Sequence, residues 1–365
     1  MPEAVLPERP RPRALGGTPW RGTDAAEAVT TALGELGDGH RPLLPELPDR
    51  GPGADAAGRS AALLAELSVD LQPHGWRVSP PSAVASGMDR RRAQSFWRED
   101  LLRWTDTAGA EGLTAAPLTV RVLGPLSLLG SLWLPGGERV LVDSGARRDV
   151  VGSYREGLAS AVDRWRSATG AGQVGVVVDE PLAAAVLAGK LATASGYRTV
   201  RSLPRDEARA AWRDALADLA GVGANWVWLD PHAGEADVVD LALLAAESLP
   251  PSAEDDAAPP VRLTVPVGAL ESAAPGGDGR LPAGSPAATP RAWDVVAGWI
   301  DAGRGLALRG VRPAELLRTW DRLGLDPALA AGLDLTVAGP ATAAGLRRLR
   351  QDAEELEARV RELLG

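Results

Sequence analysis

Eight short apolar runs are strung along this chain, each followed by a stretch with helical periodicity. The runs fall at 14–18, 68–72, 118–123, 174–178, 225–229, 261–265, 305–309 and 333–337. Several, such as Val174-Gly175-Val176-Val177-Val178, are continuous rather than alternating, the pattern of parallel strands covered on both faces. Helical patterns fill the intervals, and a last one at 346–364 lines up Leu346, Leu349, Leu356, Val360 and Leu363 on one face. Strand–helix alternation repeated eight times predicts an α/β fold, a single (β/α)8 TIM barrel spanning 14–365. A doubly wound open sheet is the alternative, although it usually has fewer units. Residues 1–13 are expected to form a disordered tail. Segments 250–260 and 272–291, rich in Pro, Gly, Ala and Asp, are expected to be flexible insertions.

Composition removes several chemistries. The chain has no cysteine, which excludes disulfides, iron–sulfur clusters, thiolate zinc sites and cysteine nucleophiles. His40, His74 and His232 are its three imidazoles, and Lys190 is its one lysine. A formal charge of −9 argues against nucleic acid as a partner. The most apolar stretch, 118–134, is broken by Arg121, Gly124, Pro125 and Gly130, so no membrane partner is expected. The Pro- and Arg-rich start lacks the apolar core of a signal peptide, and a cytoplasmic protein is expected.

Four clusters can carry chemistry. The run at 174–178 ends in Asp179-Glu180-Pro181. Two carboxylates inside an apolar strand layer would cost too much desolvation, so they belong at its end, beside a cavity. Neighbouring strand residues point to opposite faces, so one acid faces the barrel mouth and the other faces the loops or an arginine. A helix-starting cap before Pro181 is the structural alternative. After the first run, Gly16-Gly17-Thr18 forms a turn whose amides and hydroxyl can hold a carboxylate. It is neither GxGxxG nor a P-loop. Gln72 and His74 close the second run, where the histidine is either a mouth residue or an ordinary loop residue. Asp230 and His232 follow Trp226-Val227-Trp228-Leu229 and make half of an oxygen–nitrogen metal site, while Trp228 can simply fill the barrel. The catalytic candidates are therefore Asp179, Glu180, Asp230 and His232, and Thr18, Gln72, His74 and Glu180 are the candidates for substrate binding.

Taken in order, these pieces resemble the catalytic barrel of cobalamin-independent methionine synthase. They look most like the short, single-barrel actinobacterial proteins of that type. The resemblance rests on Gly17-Thr18-Pro19-Trp20, the stretch from Leu43 to Asp55, the stretch from Asp70 to Arg77, Gly124-Pro125 and Asp179-Glu180-Pro181. It implies methyl transfer from methyl-tetrahydrofolate to homocysteine, with the amino acid held at the positions of Thr18 and Glu180. It also implies a zinc ion held by a His-x-Cys pair, an acid and a second Cys. Here the His-x-Cys positions carry Trp228-Leu229-Asp230, the last Cys falls near Ala338-Gly339, and 261–268 ends without an acid. A homocysteine thiol needs an activator to ionise at neutral pH, so the expectation is a barrel that has lost the family zinc. No cofactor is expected, and Asp230 and His232 are the remaining metal candidates. The expected partner is a small molecule, a homocysteine-like amino acid or a folate. The alternatives are a catalytically degenerate homologue that keeps the amino-acid pocket, or a metal-free decarboxylase-like enzyme of the wider superfamily that includes uroporphyrinogen decarboxylase.

Overall fold

In strand β5, Val174–Asp179, the residues at 174, 176 and 178 pack outward under the helices, while those at 175, 177 and 179 face the concave side. That parity repeats in every strand of the main sheet and positions the whole site. The computed structural model describes residues 10–37, 39–79, 87–113, 116–249, 261–272 and 292–365. The expected tail residues 1–9 and the insertions at 250–260 and 273–291 lie outside the described residues.

The strands are β1 Arg13–Leu15, β2 Ser68–Gln72, β3 Gly75–Ser79, β4 Leu118–Leu123, β5, β6 Trp226–Asp230, β7 Val261–Pro266, β8 Gly305–Arg309 and β9 Asp334–Thr336. Seven of them form one curled parallel sheet in the order β1-β9-β8-β7-β6-β5-β4. The fold is thus mixed α/β, with consecutive strands as neighbours and helices as crossovers. The helices are α1 Ala25–Leu36, α2 Ala56–Ala61, α3 Gly87–Ala110, α4 Pro125–Ser131, α5 Ser144–Thr169, α6 Ala183–Leu187 and α7 Arg205–Gly221. They continue with α8 Val238–Ser248, α9 Val267–Ser272, α10 Ala292–Asp301, α11 Pro313–Arg322, α12 Pro327–Ala330 and α13 Ala343–Leu364. Asp24, Asp55, Asp143 and Thr342 cap α1, α2, α5 and α13 with side-chain oxygens. Among the described residues no helix is long and apolar enough to cross a membrane.

Two expectations are corrected here. The run at 68–72 does not join the main sheet. It pairs antiparallel with β3, and Arg77 bonds Asp70 across the hairpin at 2.6 and 3.0 Å. Gly75, at φ +132, starts the return strand, a conformation that a side chain would oppose. The place beside β1 is taken instead by an extended segment around Arg41–Leu44. Arg41 N donates to Ala14 O at 2.9 Å, Gly16 N to Arg41 O at 2.8 Å, and Leu44 N to Thr119 O at 2.8 Å. This segment therefore lies between β1 and β4. The second correction concerns the tail: Arg13 is already in β1, its N–H donating to Leu333 O at 3.0 Å.

The concave face is filled by Leu15, Leu43, Val177, Trp228 and Ala307, a cluster separate from the main core between sheet and helices. Trp228 fits because Gly175 has no side chain: a Cβ there would stand 2.8 Å from the indole Cζ3. We expect Gly175→Ala to destabilise the protein by about 1–3 kcal/mol through this overpacking. Urea unfolding checks it, and an unchanged midpoint would remove Trp228 as the filler of that layer.

Candidate functional site

Above that apolar layer, a cavity of about 270 Å3 opens at the C-terminal strand ends. Its walls include Gly16, Gly17, Thr18, Arg121, Asp179, Asp230, His232, Arg309 and Thr336. Parity explains the set. Arg121, Asp179, Asp230, Arg309 and Thr336 occupy inward positions on β4, β5, β6, β8 and β9, and the first-strand turn completes the rim.

The charges are arranged as two coupled pairs bridged by an imidazole. Arg121 Nη2 donates to Asp179 Oδ2, and Arg309 Nη2 donates to Asp230 Oδ2. His232 Nε2 lies 2.5 Å from Asp179 Oδ1 and 3.8 Å from Asp230 Oδ2. The histidine has φ +47, and its backbone N–H donates to Asp230 Oδ1 at 3.1 Å. A non-glycine residue is rarely held in that conformation, and here the strain aims the imidazole at Asp179. Burial pulls His232 down, but the Asp179 hydrogen bond and the two carboxylate charges outweigh it and raise its pKa above the usual value. Burial likewise pushes Asp179 up, yet its bonds to His232 and Arg121 win and hold it below the ordinary carboxylate range. The dyad is thus biased toward carboxylate and imidazolium.

Glu180 is placed differently from the expectation. It faces away from the cavity and is fully buried. Its carboxylate accepts from Leu126 N at 3.0 Å, Ser127 N at 2.7 Å and Trp212 Nε1 at 2.8 Å, so it caps the N-terminus of α4 from the neighbouring strand. A Cβ on Gly124 would lie 2.3 Å from its Oε1, which explains the glycine there. It does not line the cavity, and Asp179 and Asp230 are the acids that do. Gln72 and His74 also stand outside the lining, in the β2–β3 hairpin, with His74 edge-on to Trp133 at 4.9 Å. Thr18 does line the cavity, and its Oγ1 accepts from Glu46 N at 3.2 Å.

Arg121, Arg309 and Thr336 were missed by the sequence reading. Arg121 and Arg309 carried a signal: each is a lone charge in an apolar strand, the argument applied to Asp179 but not to them. Glu46, buried beside this site, was also missed as an ionisable group. Burial pushes its carboxyl up, partly opposed by Arg121 and Arg59.

Asp179, Asp230 and His232 offer one oxygen or nitrogen each within 4.8 Å of one another, the metal-like cluster found among the described residues. They do not fit the zinc implied by the resemblance. No thiolate is present, both carboxylates are engaged by guanidinium groups, and the imidazole nitrogen points at a carboxylate.

No protein-family model matches the chain, and no curated protein matches it. Solved structures similar to it include morphinone reductase, at 12% identity over 93% of this chain and 85% of that chain, with a TM-score of 0.43. A variant of methylaspartate ammonia lyase from Clostridium tetanomorphum matches at 12% identity over 98% of this chain and 60% of that one, with a TM-score of 0.41. A putative xylose isomerase from Rhodospirillum rubrum matches at 14% identity over 72% and 82%, with a TM-score of 0.33. Likenesses this distant bear on neither the ligand nor the chemistry.

Two outcomes are expected. In Asp179→Asn the His232 pKa falls, because its strongest partner loses its charge. An imidazole titration by NMR reads it, and an unmoved midpoint would detach His232 from Asp179. For Glu180, burial raises the carboxyl from 4.5 to about 7 against the pull of Ser127, Trp212 and Leu126. The folded state then holds the proton more tightly than the unfolded chain, so this group's contribution to stability declines as pH rises from 4.5 to 7 and is level above. Glu180→Gln should abolish that decline in chemical denaturation, and a persisting slope would assign it to another group.

Proposed function

We propose that this cavity binds a small amino-acid-like zwitterion and that the protein does not carry out thiolate-zinc methyl transfer. The observation that carries the reading is the convergence of two guanidinium–carboxylate pairs and one raised-pKa imidazole on a single small cavity. At about 270 Å3 the space falls just below the ~300–1,000 Å3 of drug-sized ligand sites, which favours an amino acid over a folate. Only Nη2 of each guanidinium meets Asp179 or Asp230, which leaves donors for a ligand carboxylate. The carboxylates of Asp179 and Asp230 complement an ammonium group. The amino-acid ligand of the methionine-synthase resemblance is retained in this reading, while its metal is dropped. The reading also takes the 41–44 segment as the eighth stave, which would close a (β/α)8 barrel around the cavity.

A second reading adds catalysis. The 2.5 Å contact between Asp179 and His232 suits an imidazole that gives or takes a proton at a bound substrate, with Asp179 fixing its orientation. This would be metal-free acid–base chemistry of the decarboxylase-like or related kind.

Calorimetric titration with homocysteine, methionine and methyl-tetrahydrofolate tests the proposal. One amino acid should bind one-to-one, and binding should weaken at least tenfold in Arg309→Met. It should also weaken as pH rises through the raised His232 pKa, because imidazolium then loses the charge that attracts the ligand carboxylate. Elemental analysis should find no stoichiometric zinc. One zinc per chain, lost in Asp230→Ala, or measurable methionine formation, would overturn the reading.

A further inference from the structure

At the opposite end of the strands two arginines meet a single carboxylate among the described residues. Arg41 and Asp334 are buried, at 3% and 2% side-chain exposure, and Arg262 is nearly so at 14%. Asp334 is the one carboxylate that meets either arginine among the described residues. It accepts from Arg41 Nε at 3.4 Å and from Trp228 Nε1 at 2.8 Å, and it lies 2.9 Å from Arg262 Nε. Among the described residues these two guanidinium groups share one carboxylate, which meets each of them through Nε and not through Nη1.

The uncompensated donors are specific. Arg41 Nη1 and Arg262 Nη1 are buried and have no hydrogen-bond partner among the described residues. The Trp226 ring covers the Arg41 guanidinium at 3.7 Å and the Trp228 ring stands at 5.4 Å. Such rings offset part of the charge at the flat face of a guanidinium, but its in-plane N–H groups still require acceptors. A buried charged donor left without an acceptor costs free energy even when another atom of the same group is paired. Burial, opposed by Asp334 and reinforced by the charges of Arg262 and Arg13, lowers the Arg41 pKa to about 10. Asp334 opens β9, Trp226 opens β6 and Arg262 is the second residue of β7, so the cluster sits at the N-terminal strand ends, away from the cavity.

We propose that Arg41 Nη1 and Arg262 Nη1 bind a small monovalent inorganic anion of halide size at this end of the sheet. A monoanion costs less to strip of water than a dianion, and the burial of Arg41 calls for a small one. Bound only by the folded chain, the anion would stabilise it in a saturable way.

The full-length protein can be unfolded thermally at constant ionic strength with chloride exchanged for gluconate, which is too bulky to enter. The expected result is a melting temperature that rises and saturates with chloride or bromide, and a flat response in Arg262→Gln. Because that variant can fail to fold, a bromide-soaked wild-type crystal supplies an independent reading: one anomalous peak is expected between Arg41 and Arg262. The response should persist in His232→Ala. Loss of the response there would place the anion in the cavity and overturn the proposal, as would equal melting in both salts or an absent bromide peak. The sequence just before β7 carries Glu254, Asp255 and Asp256. Destabilisation on neutralising these acids, together with a flat chloride response, would give the counter-charge to that segment and also overturn the proposal.

Discussion

Charge placed on the concave side of the curled sheet must be met residue by residue, and that requirement organises the cavity end of the strands. Water cannot screen Asp179, at 1% exposure, so Arg121 and His232 do it. Arg309 does the same for Asp230. Between the two ends lies a thin apolar layer of Leu15, Leu43, Val177, Trp228 and Ala307, which keeps the two sets of charges from merging. Trp228 links the zones, since its ring belongs to the apolar layer while its N–H reaches Asp334 below.

The outward parity is used just as economically. Glu180 follows Asp179 by one residue and so points the other way, into the layer between sheet and helices. There it finds the unsatisfied amides at the start of α4, whose own N-cap, Gly124, has no side chain to offer. Adjacent carboxylates thus serve different ends: one tunes an imidazole at the cavity, and the other ties β5 to α4 and to Trp212 on α7.

Much of the fold was legible because β-branched runs and caps are local signals. The seven strands of the main sheet coincide with predicted runs apart from small shifts at their ends, and the buried strand end at Asp179 was readable from desolvation alone. The segment at 41–44 was not. Its Arg-Pro-Leu-Leu-Pro sequence is too short and proline-rich to look like a strand, and what fixes it is pairing with β1 and β4, which are distant in sequence. The 68–79 hairpin was readable in principle from Gly75 between two alternating stretches, but strand counting absorbed its first half into the barrel. At the site the sequence offers residue types but not directions. Which of Asp179 and Glu180 faces the cavity depends on register, and register is set by the neighbouring strands.

The pairing of β1 with β9 carries a consequence for biosynthesis. Arg13, Ala14 and Leu15 lie in register with Asp334, Leu335 and Thr336, partners widely separated along the chain. At the usual ~5–20 residues per second of translation, the first strand waits roughly 15–60 s for its neighbour to leave the ribosome. During that time one flank of the nascent strand stays unsatisfied, with Arg41 close by and its carboxylate partner not yet made. The last helix, α13, packs on α1 and on β1 and β9. Its arrival therefore seals the seam between β1 and β9, and a chain not yet translated that far exposes that seam to aggregation.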